Sequence, residues 1–445
     1  MSSEWPTVSV DDVCELIVDC VNKTAPVVDR TTPFRMVRTT NIRNGRIDLN
    51  ECRFVDEATY AKWTRRAELR FGDVLLTREA PIGEVGLVLE PNGLFLGQRV
   101  MQYRANAQVL SPRFLLYSFL SPSLQRQFGS HEGSGSVVSH IRVGDCFKFK
   151  LKLPPLGVQN RIAALLGAVD DRIALLRETN VTLEAIAQAL FKSWFVDFDL
   201  VHAKQQVIAP AGMDEATMAL FPDRLEASKA GLTPKGWRSF TVADVATVTK
   251  GKSYSSKDLV AEHETALVTL KSFERGGGFR LDGFKPYSGS YKDEQVVRPG
   301  DLIVAYTDVT QAAELIGKPA IVIGVSDHAT LVASLDVGIV RPIENRASRQ
   351  FLYGLFRTAS FQAHTLSRTS GTTVLHLSKD AVGSYVFACP PAELIGAFSS
   401  VAEPLARRRQ VNIDQMRTLA TLRDTLLPRL ISGRLRLPEV EEALG

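Results

Sequence analysis

From Ile162 onward the chain places apolar residues at alternating steps of four and three: Ile162, Leu166, Val169, Ile173, Leu176, Leu183 and Leu190. Asn180, Ala187 and Trp194 complete the series. This is a heptad seam, and it predicts one helix of about 40 residues, roughly 60 Å long at 1.5 Å per residue. Pro154-Pro155 stops the preceding strand and suits a helix start. A lone amphipathic helix of that length is unstable without a partner stripe. A second stretch, Glu393 to Ile431, offers one, with Phe398, Leu405, Met416, Leu419, Leu426 and Leu430 at equivalent positions. Arg409, Asn412 and Arg423 interrupt it. The expected arrangement is an antiparallel coiled coil within the chain, carrying a globular domain at each end. Two independent helices, each packed on its own domain, are the alternative.

The rest of the pattern is strand-like. Short β-branched runs (Asp73 to Thr77, Val85 to Leu89, Leu302 to Ala305, Ala320 to Ile323) alternate with turns such as Asn44-Gly45 and Gly276-Gly277-Gly278. The two halves are copies. SGSVVSHI from Ser134 matches SGTTVLHL from Ser370 at an offset of 236, and Pro154-Pro155 and Thr182-Leu183 fall on Pro390-Pro391 and Thr418-Leu419 at that same offset. Gly72-Asp73 answers to Gly300-Asp301, and Phe114-Leu115 to Phe351-Leu352. The expected organisation is a first globular domain at 1–153, a helix at 154–200 and a linker at 201–236. A second domain follows at 237–389, then a helix at 390–435 and a tail at 436–445. The fold class is mixed α/β with an internal pseudo-two-fold repeat.

Composition narrows the classes. With 445 residues, 45% hydrophobic and 23% charged, the chain is an ordinary globular protein. The opening MSSEWPTVSVDD lacks the basic and apolar regions of a signal peptide, and no apolar run reaches the ~20 residues of a membrane span. The five cysteines show no CxxC spacing, so a cytoplasmic protein with reduced thiols is expected, without a disulfide framework or zinc site. The net charge of +4 is too weak to announce a nucleic-acid binder by itself. Its positive excess, however, belongs to the two globular domains (+3 and +2), while the first helix is −2.

Local clusters are sharper. PFRMVRTTNIRNGRID carries Arg35, Arg38, Arg43 and Arg46 with Thr39 and Asn41 beside an Asn-Gly turn. Arginine pairs with guanine, asparagine with adenine, and threonine with base edges or phosphate. The second copy, TLKSFERGGGFRLDG, supplies Lys271, Ser272, Arg275 and Arg280. The glycine-bearing segments add Ser134, Ser136 and His140 in one copy and Ser370, Thr372 and His376 in the other, where backbone amides could approach a phosphate. A solvated hairpin with ordinary surface arginines, and a plain turn before a strand, are the alternative readings of the same residues. The run Arg407-Arg408-Arg409 is read by default as a solvated helix face, with phosphate or an acidic partner subunit as the alternatives.

Catalytic groups are missing from the pattern. There is no FxGxG S-adenosylmethionine loop, no NPPY-like tetrapeptide and no GxxxxGK[ST] P-loop. Pro222-Asp223, Glu226 and Lys229 have the wrong spacing for a nuclease, and the seven histidines show no HxH or HExxH pairing. No catalytic or metal-binding residue is assigned.

Four segments resemble the specificity subunits of type I restriction-modification systems. They are LPPLGVQNRIAALLGAVDDRI from Leu153, ALFKSWFVDFDL from Ala189, the linker FPDRLEASKAGLTPKGW and the tail DTLLPRLISGRL from Asp424. The resemblance spans nearly the whole chain, with one departure: CPPAELIGAF has Ile395 where the first copy has Gln159. It implies a non-catalytic reader of double-stranded DNA, each domain taking one half of a bipartite, asymmetric target. The paired helices would set the spacer and dock two modification (M) subunits, with restriction (R) subunits in the full complex. It also implies that S-adenosylmethionine, ATP and Mg sit on those partners, with no cofactor on this chain and no membrane. The rival readings are a fused or stand-alone methyltransferase or nuclease, and a coiled-coil scaffold that reads no DNA.

Overall fold

The computed structural model describes residues 5–436 apart from 22, 131–139, 207–212, 229–230, 282, 311 and 325–327. Two helices of 40 residues dominate it, Leu156–Phe195 and Ala392–Ile431. Each starts directly after a proline pair. The carbonyl of Pro155 accepts from the amides of Val158 and Gln159, and that of Pro391 from Leu394 and Ile395. Proline fits there because the first turn needs no N–H from it. The chain forms two compact units, residues 1–175 with 416–445, and residues 176–415.

In the first unit a four-stranded antiparallel sheet runs Cys14–Asp19, Val100–Ala105, Val74–Thr77, Val85–Leu87. A smaller sheet pairs Arg35–Val37 in parallel with Leu94–Leu96 and antiparallel with Arg53–Phe54. Helices Pro112–Leu120 and Pro122–Gly129 cover the larger sheet, and Tyr103, Phe114, Phe119 and Phe128 fill the core between them. Ile162 and Leu166 of the first long helix and Leu426 and Leu430 of the second close that same core.

The second unit repeats this plan. Its sheet runs Ala246–Lys250, Val337–Pro342, Leu302–Ala305, Pro319–Ile321, and a parallel pair joins Thr265–Val268 to Thr330–Ala333. Helices Arg349–Phe356 and Ala359–Ser367 take the covering place. Phe191, Trp194, Leu394 and Phe398 of the long helices enter its core. The aromatic segment ALFKSWF is therefore packing. Phe191 sits 5.6 Å from Phe351 and 5.7 Å from Phe398 between ring centroids.

The long helices are partners, not independent elements. In the first unit Arg423 donates to Asp170 at 2.9 Å, and in the second Asn412 donates to Asn180 at 2.8 Å while Arg409 bonds Glu184. Partner numbers fall as chain numbers rise, so within the second unit the helices run antiparallel. Ile162, Leu166, Ile173, Leu176 and Leu426 are buried, and Val169, Leu183, Leu190, Leu405, Met416 and Leu419 are half-buried along the seam. The residues that interrupt the apolar pattern are matched to polar partners on the facing helix. Gln159, fully buried, accepts from the Ser111 amide at 2.9 Å and donates to the carbonyls of Val109 and Pro154. In the second unit Ile395 is buried at its place, and Ser399 instead reaches Ser348 at 2.7 Å.

The segment at 201–236 is not bare connection. It holds a helical turn at Glu215–Ala219 and a hairpin pairing Leu225–Ser228 with Gly231–Pro234. Among the described residues no helix is long and apolar enough to cross a membrane.

Candidate nucleic-acid interface

In the first unit Thr39–Asn41 form one 3-10 turn leading into a hairpin, Ile42–Arg43 with Arg46–Ile47. Asn44 and Gly45 turn it at φ of 50° and 84°, the left-handed pair that a two-residue hairpin demands. Asn41 is the internal brace of this structure. It is 2% exposed, accepts from the Arg38 amide at 2.9 Å and donates to the Asp48 carbonyl at 3.2 Å. Its amide is therefore unavailable to a base, and it leaves the candidate set.

The arginines are mostly held in place by carbonyls. Arg38 donates to Glu51 O at 3.1 Å, Arg43 to Thr39 O at 2.8 Å and Ile42 O at 2.6 Å, and Arg46 to Asp170 O at 2.6 Å. Arg43 still leaves much of its guanidinium in solvent, 44% exposed, so it is braced rather than consumed. Arg35 and Thr39 are half-buried. His140 is half-buried, and Ser134 and Ser136 lie outside the described residues.

The second unit rebuilds the same turn at Leu270–Ser272. Ser272 stands where Asn41 stands, is fully buried and accepts from the Thr269 amide at 3.4 Å. It too leaves the candidate set, for the same reason. Lys271, Arg275 and Arg280 are exposed. Ser370, Thr372 and His376 are exposed on and beside the strand pair Thr369–Ser370 and Leu375–Leu377.

What joins the two candidate segments of each unit is a loop that sequence reasoning missed. In the first unit it runs from Thr77 to Glu84. At one end Glu84 accepts from the Asn44 amide at 3.1 Å, and at the other Arg78 and Ile141 exchange bonds of 3.0 and 2.9 Å. Hairpin and His140 segment are thereby gathered on one support. In the second unit the loop from Thr307 to Ile316 does likewise. Glu314 lies 3.3 Å from Arg275 and accepts from the Gly276 amide, while Thr307 and Asp308 pair with His376 and Leu375.

Asp308 fixes that loop. Burial by itself would raise its carboxyl, but bonds from the Thr310 hydroxyl and the amides of Thr310, Leu315 and Ile316 hold it below the usual carboxylate range. The signal was present in the sequence: an aspartate two residues before a threonine is a turn-former.

The arrangement presents cations and hydroxyls on loops supported by a rigid sheet, which suits recognition. Its thiols are poor nucleophiles, since burial pushes Cys52, Cys146 and Cys389 up to about 11. Among the described residues no group of three or more His, Cys, Asp or Glu is placed to hold a metal.

Residues 2–185 match the type I restriction modification DNA specificity domain. The chain is 23% identical to the type I restriction enzyme HindI specificity subunit of Haemophilus influenzae, over 82% of this chain and 87% of that one. It is 25% identical to the type I restriction enzyme MjaIX specificity subunit of Methanocaldococcus jannaschii, over 83% and 79%. Its fold matches the crystal structure of a type I restriction-modification S subunit from M. genitalium, with a TM-score of 0.51, 14% identity and 96% of each chain covered.

Proposed function

We infer that this chain is a member of the specificity subunits of type I restriction-modification systems, and that it is the part of such a complex that reads DNA. It is a recognition subunit and not the catalyst. Each unit reads one half of a bipartite, asymmetric target, and the paired helices hold the readers at a set spacing and dock two modification subunits. Restriction subunits join in the full complex. S-adenosylmethionine, ATP and Mg belong to those partners, and the assembly works in the cytoplasm.

One observation carries this reading. The same loop-supported turn occurs once in each unit, built from different residues: Arg38-Thr39-Thr40-Asn41 in one and Thr269-Leu270-Lys271-Ser272 in the other. Two equivalent frames with different side chains suit two half-sites of different sequence. The weak net charge fits a subunit whose partners add phosphate contacts.

The test is a methylome of cells carrying this chain and its modification subunit. Adenine methylation confined to one bipartite motif with unlike halves is the expected result. Methylation that is absent, or that follows a continuous palindrome, overturns the reading.

A further inference from the structure

Each unit ties its recognition domain to the long helices through one acidic residue. In the first, the Tyr117 hydroxyl donates to Asp170 Oδ2 at 2.8 Å, and Arg423 donates to Asp170 Oδ1 at 2.9 Å. Tyr117 lies on the helix that covers the recognition sheet, and Arg423 on the second long helix. Arg46 of the recognition hairpin adds a bond to the Asp170 carbonyl at 2.6 Å. In the second unit the Tyr353 hydroxyl donates to Glu184 Oε1 at 3.0 Å, and Arg409 bonds Glu184 Oε2. Arg357 completes that set, 3.1 Å from the Tyr353 oxygen and 3.6 Å from Glu184.

The duplication copied only the tyrosine of these two clamps. At the repeat offset of 236 the two tyrosines coincide, Tyr353 falling on Tyr117, but Asp170 corresponds to Ala406 and Glu184 to Ala420. A tyrosine at the repeated position has thus been given a differently placed acid and arginine in each unit. Both tyrosines are deeply buried, 2% and 5% exposed, and burial together with the neighbouring carboxylate pushes Tyr353 up to about 12, so it remains a donor. Apolar packing holds two surfaces together without fixing their angle, whereas a carboxylate that divides its oxygens between two elements fixes it.

We propose that Asp170 and Glu184 are positioning residues that set the angle at which each recognition domain is carried on the helix pair, and so limit which spacer lengths the complex accepts. This rests on the DNA-reading function above. The bases read at each half-site should not depend on these residues, because neither carboxylate belongs to the recognition loops.

The experiment uses the chain assembled with its modification subunit. Methylation is measured on DNA carrying the wild-type half-sites with the native spacer and with one base pair added or removed. Asp170→Asn keeps an acceptor for Tyr117 but loses the charge that holds Arg423. Tyr117→Phe and Tyr353→Phe delete single hydroxyls and are the gentler variants. Each should raise methylation of the altered-spacer targets relative to the native one by about ten-fold, as the loss of one charged hydrogen bond predicts, with half-site preferences unchanged. An unchanged spacer profile in the hydroxyl variants overturns the proposal. So does a uniform loss at every spacer, which is the mark of a merely structural role, or a change in the bases read. Absence of motif-specific methylation by the wild-type complex would instead sink the DNA-reading function itself.

Discussion

Asp73 and Arg104 form a two-point ion pair, 2.8 Å and 2.9 Å, in which the aspartate side chain is 1% exposed. The carboxylate also accepts from Gln102 and the Arg70 amide, both at 2.7 Å. The equivalent pair, Asp301 with Arg341 at 3.1 Å, is more open, at 20% and 36% exposed. Asp73→Asn leaves a guanidinium facing a buried amide. It should cost about 3–5 kcal/mol, and Asp301→Asn roughly half as much, because water screens the second pair. Urea unfolding of the intact chain gives both values, and equal costs would contradict the burial argument.

The polar layer Asn180–Asn412 makes a prediction of opposite sign for single and double variants. Asn412 is fully buried and its Oδ1 has no hydrogen-bond partner. Asn412→Leu strands the Asn180 side-chain oxygen, which accepts from Asn412, and should cost about 1–2 kcal/mol. Replacing both with leucine should recover that loss or exceed it, since an apolar layer carries no unmade bond. A double-mutant cycle by thermal unfolding checks it, with additive losses the contrary result.

Gly354 lies against Phe191. A Cβ there would sit 2.3 Å from the ring, which Phe195, Phe351 and Phe398 confine. Gly354→Ala should therefore destabilise the second unit by about 1–3 kcal/mol through overpacking. Trp194, 6.0 Å from Phe398, reports it by fluorescence during denaturation.

Acid should loosen the loop that Asp308 holds in the second unit. Its folded carboxyl titrates below the ordinary 3.8, so its stabilisation is complete above that pH and is lost as pH falls through the lower folded value. Asp308→Asn should lower stability by about 1.5–3 kcal/mol at neutral pH, from the loss of charged hydrogen bonds. The gap between variant and wild type should close below pH 3.8, and thermal melts across that range show whether it does.

Arg43 and Lys271 occupy the exposed edge of the two equivalent turns. Alanine at either should relax one half-site by about 1–3 kcal/mol and leave the other intact. Methylome sequencing separates the halves, and a change in both from one substitution would count against independent readers.

The candidate site was legible as segments and not as side chains. The repeat, the arginine-rich hairpin and the glycine turns could be located because composition and spacing are local properties. Which polar groups remain available was not local. Asn41 and Asn180 carry the same amide, yet one braces a turn at a buried position and the other meets a facing helix. The heptad spacing placed Asn180 on the helix seam, whereas nothing in the residues around Asn41 marked it as a buried brace. The supporting loops at 77–84 and 307–316 escaped notice because their function is to bridge segments distant in the chain.

By itself the sequence determined the duplication, the two 40-residue helices and their proline starts, since a heptad period and a fixed φ act over a few residues. Tertiary structure decided what the breaks in that period were for. Arg409, Asn412 and Arg423 look like flaws in an apolar stripe until the facing helix supplies Glu184, Asn180 and Asp170. The reason is physical: a buried polar group is tolerable only when a partner satisfies it, and that partner is chosen by folding across more than two hundred residues of chain.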